Sequence, residues 1–236
     1  MKVCVVGYGA MGKLLSSLLG DDLACNVAIE CETKRLEDVK EDFDVIIDFS
    51  NPANFEMIYN YCLKTKKPVV LATTGYSEEQ NKKVDELAKE VPCLKSANFS
   101  LGVILLNRLV KQATSVLKEG FDIEIVEAHH NKKIDAPSGT AKMLLNSVLE
   151  ETGYEAHEGR KGYSPRSKNE VGVHAIRGGT IVGEHEVIFA GEDEVVTLKH
   201  SASSKKIFAV GAIKAARWLV DKKAGLYDMN DVLFGE

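Results

Sequence analysis

The 236-residue chain has little of what would place it outside ordinary globular proteins: five cysteines, one tryptophan, five prolines and no excess of positive charge. Cys4, Cys25, Cys31, Cys62 and Cys93 form no C-x-x-C pair, and their odd number and scattered spacing give no disulfide framework. That usage points to a reducing compartment. No uninterrupted apolar stretch approaches the roughly 18 residues of a membrane-span candidate. Thirty Lys and Arg against 35 Asp and Glu leave a net charge of −5, which argues against a nucleic-acid binder. The basic pairs Lys132-Lys133 and Arg160-Lys161 are local. Met1-Lys2 runs straight into Val3-Cys4-Val5-Val6 and a glycine turn, so no signal peptide and a cytoplasmic location are expected. We find no internal repeat and no low-complexity tract.

What is present is a pattern of alternating elements. Near-continuous apolar runs at 3–6, 27–29, 45–47 and 69–71 read as strands buried on both faces, and helical patterns at 10–19, 53–64 and 78–90 separate them. This alternation predicts a doubly wound parallel sheet. Ser50 or Asn51 with Pro52 forms one helix start, and Ser77 with Gln80 is placed for a capping box. From residue 101 the character changes. A helix is expected at 101–117, a strand at 121–128, a helix at 141–150 and a long polar loop at 152–169. Strands at 171–177 and 180–190 are joined by Gly178-Gly179, a hairpin signal, and a third follows at 195–200. A last helix spans 207–220 and should pack back on the first. The fold class is therefore α/β: an N-terminal Rossmann-like domain, 1–100 completed by 205–236, and a C-terminal α+β domain, 101–204, with a mostly antiparallel sheet.

Gly7, Gly9 and Gly12 have the G-x-G-x-x-G spacing, after a strand and at the start of a helix. Gly7 allows a tight turn, Gly9 lets backbone approach a pyrophosphate, and Gly12 lets helix pack closely on strand. The helix N-terminus presents free N–H groups to the phosphates. Gly7, Tyr8, Gly9, Ala10, Met11 and Gly12 are thus candidate cofactor ligands. Glu30, about 20 residues on, stands where an acid bonds the adenosine ribose of NAD, whereas Lys34 and Arg35 offer a cation for the extra phosphate of NADP. These residues leave the choice of NADH, NADPH or both open.

The richest segment is 127–140, Glu-Ala-His-His-Asn-Lys-Lys-Ile-Asp-Ala-Pro-Ser-Gly-Thr. Two imidazoles, two ammonium groups and a Pro-Ser-Gly-Thr turn can supply a proton and bind anions with both side chains and backbone. On a continuing strand His129 and His130 would point to opposite faces, so both face one site only if the strand ends there. Ser138, Gly139 and Thr140 open the next helix, with N–H groups available to a carboxylate. We assign no metal ligands.

The run Glu127-Ala128-His129-His130, then Lys133, then Asp135-Ala136-Pro137-Ser138-Gly139-Thr140-Ala141 resembles the signature of the 4-hydroxy-tetrahydrodipicolinate reductase family. Asp48-Phe49-Ser50, Ala72-Thr73-Thr74-Gly75, Ala97-Asn98-Phe99-Ser100, residues 178–186 and Gly225-Leu226-Tyr227-Asp228 resemble further family blocks, in the family's order. The resemblance implies reduction of 4-hydroxy-tetrahydrodipicolinate to tetrahydrodipicolinate with NADH or NADPH, in diaminopimelate and lysine biosynthesis. It implies that His129 is the proton donor/acceptor, Lys133 a second proton donor, His130 a substrate ligand, and Gly139-Thr140 the turn that holds a substrate carboxylate. Ala72, Thr73 and Thr74, with Ala97, Asn98, Phe99 and Ser100, would lie near the nicotinamide. It also implies a homotetramer built through the second domain. The two-domain layout itself would place cofactor and substrate on different domains that close together. Many members carry an additional residue, often Arg, in the glycine loop, and this chain does not; Lys34 is a candidate to compensate. Two rival readings are a silent nucleotide-binding sensor and another NAD(P)-dependent dehydrogenase of similar architecture. The latter lack the His-His-x-x-Lys run with its Pro-Ser-Gly-Thr turn.

Overall fold

A computed structural model describes residues 1–27 and 36–235, divided into two compact units: 1–101 with 206–236, and 102–205. In the first unit β1 (Val3–Val6), β2 (Leu23–Val27), β3 (Val45–Asp48), β4 (Val69–Leu71), β5 (Pro92–Lys95) and β11 (Gly225–Tyr227) form one parallel sheet in the order β11-β5-β4-β3-β1-β2. Both faces are covered. Cys4, Val6, Ile46, Val69, Leu71 and Cys93 pack against α2 (Phe55–Thr65) and α3 (Glu78–Ala88) through Phe55, Ile58, Val84 and Leu87. The other face meets α1 (Ala10–Leu19) and α6 (Lys206–Leu219), which also pack on each other. That double burial is why β1, β4 and the first three residues of β3 read as unbroken apolar runs. Asn51 caps the 3-10 turn leading into α2, its side chain accepting from the Ala53 N–H at 2.9 Å. The Ser77–Gln80 capping box is formed in both directions, at 3.1 and 2.9 Å.

The strand expected at 27–29 is found as Leu23–Val27; positions 28 and 29, with Glu30, Cys31 and Lys34, lie outside the described residues. Sequence periodicity misses β5, four residues led by a proline, and the three-residue edge strand β11 that pairs with it. It also misses the short α7 (Met229–Phe234), which Asp228 and Asp231 start with a capping box.

In the second unit the sheet order is β10-β9-β6-β8-β7, with β6 (Asp122–His129) in the centre. β7 is Glu155–Glu158, β8 Glu170–Arg177, β9 Gly183–Ala190 and β10 Val195–Ala202. Alternate residues Ile123, Ile125, Val173, Val187 and Phe189 face α4 (Leu101–Leu117) and α5 (Gly139–Thr152) through Val110, Leu144 and Val148.

Two features differ from the sequence reading. Gly178-Gly179 does not close a hairpin between neighbouring strands, because β6 lies between β8 and β9. The glycine pair instead crosses the end of β6: the Gly178 N–H donates to the His129 carbonyl at 2.9 Å, and the Asn131 N–H to the Gly179 carbonyl at 3.2 Å. The sheet is consequently mixed, with antiparallel pairs β10–β9 and β9–β6 and parallel pairs β6–β8 and β8–β7, where a mostly antiparallel one was expected. The stretch expected as a loop at 152–169 contains β7, an exposed edge strand too polar to signal itself. Beyond β7, Arg160 pairs with Glu170, and Arg166 reaches Glu124 at 3.3 Å and Asp122 at 3.4 Å. No helix among the described residues is long and apolar enough to cross a membrane.

Candidate active site

The glycine loop lies at the carboxyl ends of the parallel strands. The chain runs from β1 to β2 on one side and then returns to β3 on the other, so the strand order reverses between β1 and β3. A cavity of about 360 Å³ opens at that point, lined by Gly7, Tyr8 and Gly9 and by Phe49, Ser50 and Asn51. In open α/β sheets such a crevice is where ligands bind. The three glycines do different work. Gly7 has φ +113°, and a Cβ there would stand 2.4 Å from the Phe49 carbonyl oxygen. A Cβ on Gly12 would stand 2.0 Å from the Gly7 carbonyl oxygen, so both residues are required by the turn itself. Around Gly9 a Cβ would meet nothing within 4 Å, so its bare backbone borders open space, as the approach of a pyrophosphate requires. Ala10, Met11 and Gly12 form the first turn of α1 behind it. The residues present therefore fit a dinucleotide.

Thr73 and Ser50 join two neighbouring loops, the Ser50 N–H donating to the Thr73 hydroxyl at 2.9 Å. Beneath them Asp48 accepts from Ser50 Oγ at 2.5 Å and from the Tyr76 hydroxyl at 3.0 Å, and burial pushes its carboxyl above the usual carboxylate range. Ala72 and Thr73 are buried, with Thr74 exposed beside them, and Ala97–Ser100 form the loop after β5. That loop is held by the Ser100 N–H donating to Asn98 Oδ1 at 2.8 Å and by Gly211 of α6, where any Cβ would strike the Phe99 carbonyl. Lys13, which sequence reasoning overlooked, sets its ammonium 5.0 Å from the ring centre of Tyr8. One cation thus stands beside a loop that lacks an arginine.

In the second unit β6 ends at His129, and the Lys133 N–H closes a turn onto the His130 carbonyl at 3.1 Å. His129 is 9% exposed, while His130 and Lys133 are half-buried. Lys133 Nζ pairs with Asp135 at 2.8 Å and holds that carboxyl below its usual range. Ser138 is the N-cap of α5, its hydroxyl accepting from the Ala141 N–H at 3.2 Å. Gly139 is exposed with nothing within 4 Å of a notional Cβ, and Thr140 follows in the first turn. His129 and the Ser138–Thr140 turn are brought to one end of the unit.

The link between them is Glu127, fully buried two residues before His129 on the same strand face. It contacts His129 Nδ1 at 2.6 Å, accepts from the Ser138 N–H at 3.0 Å and receives both Arg177 amino groups at 2.8 and 2.7 Å. Burial alone would push this carboxyl up; the bonds from Arg177, His129 and Ser138 outweigh it and hold it below its usual range. Glu127 in turn makes Arg177 a firmer cation. His185, paired in register with Glu127, contacts Ser138 Oγ at 3.0 Å and meets the His129 ring edge-on at 5.1 Å. Burial above all pushes its imidazole down to about 4.

Sequence reasoning gave no role to Glu127, Arg177 or His185. A signal existed for the first: Ile123, Ile125, Glu127 and His129 share one face of one strand, so Glu127 continues an apolar row and must be paired if buried. Arg177 carries no such signal, since its position opposite His129 arises only from the β6–β8 register.

Similarity to known proteins covers nearly the whole chain. Residues 1–99 match the family model for dihydrodipicolinate reductase, N-terminus, and residues 102–233 that for its C-terminus. A protein named 4-hydroxy-tetrahydrodipicolinate reductase from Clostridium novyi is 44% identical, over 95% of this chain and 94% of that one. Its namesake from Caldanaerobacter subterraneus is 47% identical over the same shares. Among solved structures, a dipicolinate-bound dihydrodipicolinate reductase from Paenisporosarcina sp. TG-14 superposes with a TM-score of 0.76 over 97% of both chains, at 22% identity, a likeness of fold.

Proposed function

Because this chain belongs to the dihydrodipicolinate reductase family, we propose that it reduces 4-hydroxy-tetrahydrodipicolinate, using NADH or NADPH, to tetrahydrodipicolinate. The reaction consumes one reduced cofactor and one proton and releases oxidised cofactor and water. It belongs to diaminopimelate and lysine biosynthesis, carried out in the cytoplasm. The observation that carries the reading is the buried His129 ring tied through Glu127 to the start of α5. A proton donor and a carboxylate-binding turn held together are what a cyclic dicarboxylate substrate requires.

When bound, the nicotinamide supplies the hydride. The chain's own residues do the rest. Backbone N–H groups of Gly139 and Thr140 hold a substrate carboxylate, helped by the positive end of α5. Ser138 keeps that turn in shape by capping it. His130 and Lys133 offset the dianion's charge, which requires Lys133 to exchange Asp135 for substrate. His129 or Lys133 then delivers a proton to the carbon made electron-rich by reduction, a contribution of about 100- to 10,000-fold. Whichever of the two does not deliver it stabilises the developing negative charge. On the cofactor side Gly7–Gly12 receive the pyrophosphate, and the loops at 72–74 and 97–100 border the nicotinamide. Glu30 and Lys34 select the ribose end. A homotetramer assembled through the second unit's sheet is part of this reading, supported by family membership and by the exposed side of β10, where Val195 is 62% exposed.

A binding experiment tests the reading without turnover. Pyridine-2,6-dicarboxylate, a planar dianion of the substrate's shape, should tighten NADH or NADPH binding to this protein. Absence of any coupling would favour a nucleotide sensor.

A further inference from the structure

We propose that Glu127 is a positioning residue for the reductase reaction. Its single carboxylate fixes which nitrogen of His129 carries the mobile proton, and it ties that ring to the backbone turn that opens α5. The inference rests on the reading of His129 as a proton donor and of Gly139-Thr140 as the carboxylate turn.

Glu127 has no exposed surface, and an ionised carboxylate survives there only if every lone pair is used. Four donors reach it: Arg177 Nη1 at 2.8 Å and Nη2 at 2.7 Å, the Ser138 N–H at 3.0 Å, and His129 Nδ1 at 2.6 Å. Arg177 presents two parallel N–H groups, the geometry that suits an ionised carboxylate. An ionised carboxylate only accepts, so the hydrogen in the contact at 2.6 Å belongs to His129 Nδ1. The neutral ring is then the Nδ1–H tautomer, and the proton gained and lost is the one on Nε2. Gly183 makes room for that atom, since a Cβ there would stand 3.1 Å from Nε2.

The second bond does a different job. The Ser138 hydroxyl serves the Ala141 N–H while the Ser138 N–H serves Glu127, so the first residue of the carboxylate turn is anchored from both sides. One buried group therefore sets both the proton donor's orientation and the position of the turn. Arg177 keeps that group charged, and it also donates to the Asp135 carbonyl at 2.7 Å, holding the chain between His130 and Ser138. A purely structural ion pair would explain the burial, but it would predict no effect on the ring's tautomer and none on turnover in a folded variant.

The test begins with the wild-type protein. Nitrogen-15 shifts of the His129 ring should report the Nδ1–H form when the ring is neutral; an Nε2–H ring overturns the proposal. This readout needs no activity, so a missing reductase reaction and a wrong tautomer are separate failures. Glu127→Gln then offers His129 an amide N–H in place of an acceptor and should convert the ring to the Nε2–H form. Its kcat should fall about 100-fold or more, with KM changed much less. Because Gln beside Arg177 leaves a buried cation unbalanced, the double variant Glu127→Gln/Arg177→Met, which removes both charges, is measured alongside. It should fold and show the same loss of kcat with the same altered ring. Near wild-type turnover in either folded variant overturns the proposal.

Discussion

The glycine-loop pocket and the histidine site are built from opposite materials. Around the first, between β1 and β3, the working surface is backbone: Gly7 and Gly12 close a turn that tolerates no side chain, and Gly9 leaves its peptide bare. Around the second, at the end of β6, the working surface is charged side chains, and nearly every one answers another: Glu127 to Arg177, His129 to Glu127, Lys133 to Asp135. A phosphate chain is recognised by N–H groups that a turn presents automatically, so spacing alone encodes the pocket. A proton donor has to be aimed, and aiming requires partners from other strands. The first kind of site fails when a side chain is added, and the second when one is removed.

That contrast sets the order of expected effects. His129→Gln should lower kcat by about 100- to 10,000-fold with little change in KM, because a proton given only in the transition state is lost. Cofactor binding, measured by titration, should be untouched. Gly12→Ala should do the reverse kind of damage. Its Cβ strikes backbone at 2.0 Å, so the first unit should lose about 3 kcal/mol or more of stability, seen in denaturant unfolding. Gly9→Ala sharpens the point. With open space around it, the variant should keep its Tm while its affinity for NADH or NADPH falls roughly tenfold.

His185 gives the pH dependence. Its folded form is neutral, with a pKa of about 4 against 6.5 for a free imidazole. Above the unfolded value neither state binds a proton, and stability is full. As pH falls from about 6.5 to about 4, the unfolded chain takes up a proton that the folded chain refuses. Stability is lost through that window, by about 3 kcal/mol, and the loss levels off below it. His185→Gln should flatten this part of the stability–pH curve. Smallest of all is Asp135→Asn. Its ion pair with Lys133 is half-exposed, so stability should change by less than about 1 kcal/mol, while KM should drop slightly as Lys133 is released.

The same contrast explains how much was legible beforehand. The doubly wound sheet could be read because strands buried on both faces are apolar throughout, and Ser77 with Gln80 marked α3 by local chemistry. The Gly7–Gly12 loop and the 127–140 segment were visible for the same reason, each complete within a few residues. What stayed hidden is what long-range pairing creates. Gly178-Gly179 carries the local mark of a hairpin, but nothing near it announces that β6 is inserted there. Arg177 reaches Glu127 across fifty positions, and His185 reaches Ser138 across forty-seven. β7 and β11 lie at sheet edges, where pairing on one side needs no apolar run.

The proposed reductase reaction calls on both the second unit's charged cluster and the first unit's glycine pocket. The direct measurement is a coupled assay in which the synthase that condenses pyruvate with aspartate semialdehyde generates the substrate, and NADH and NADPH oxidation are followed in parallel. Cofactor oxidation should require both this protein and the synthase, and should disappear in His129→Gln. With a demonstrably active synthase, failure of both cofactors to be oxidised would contradict it.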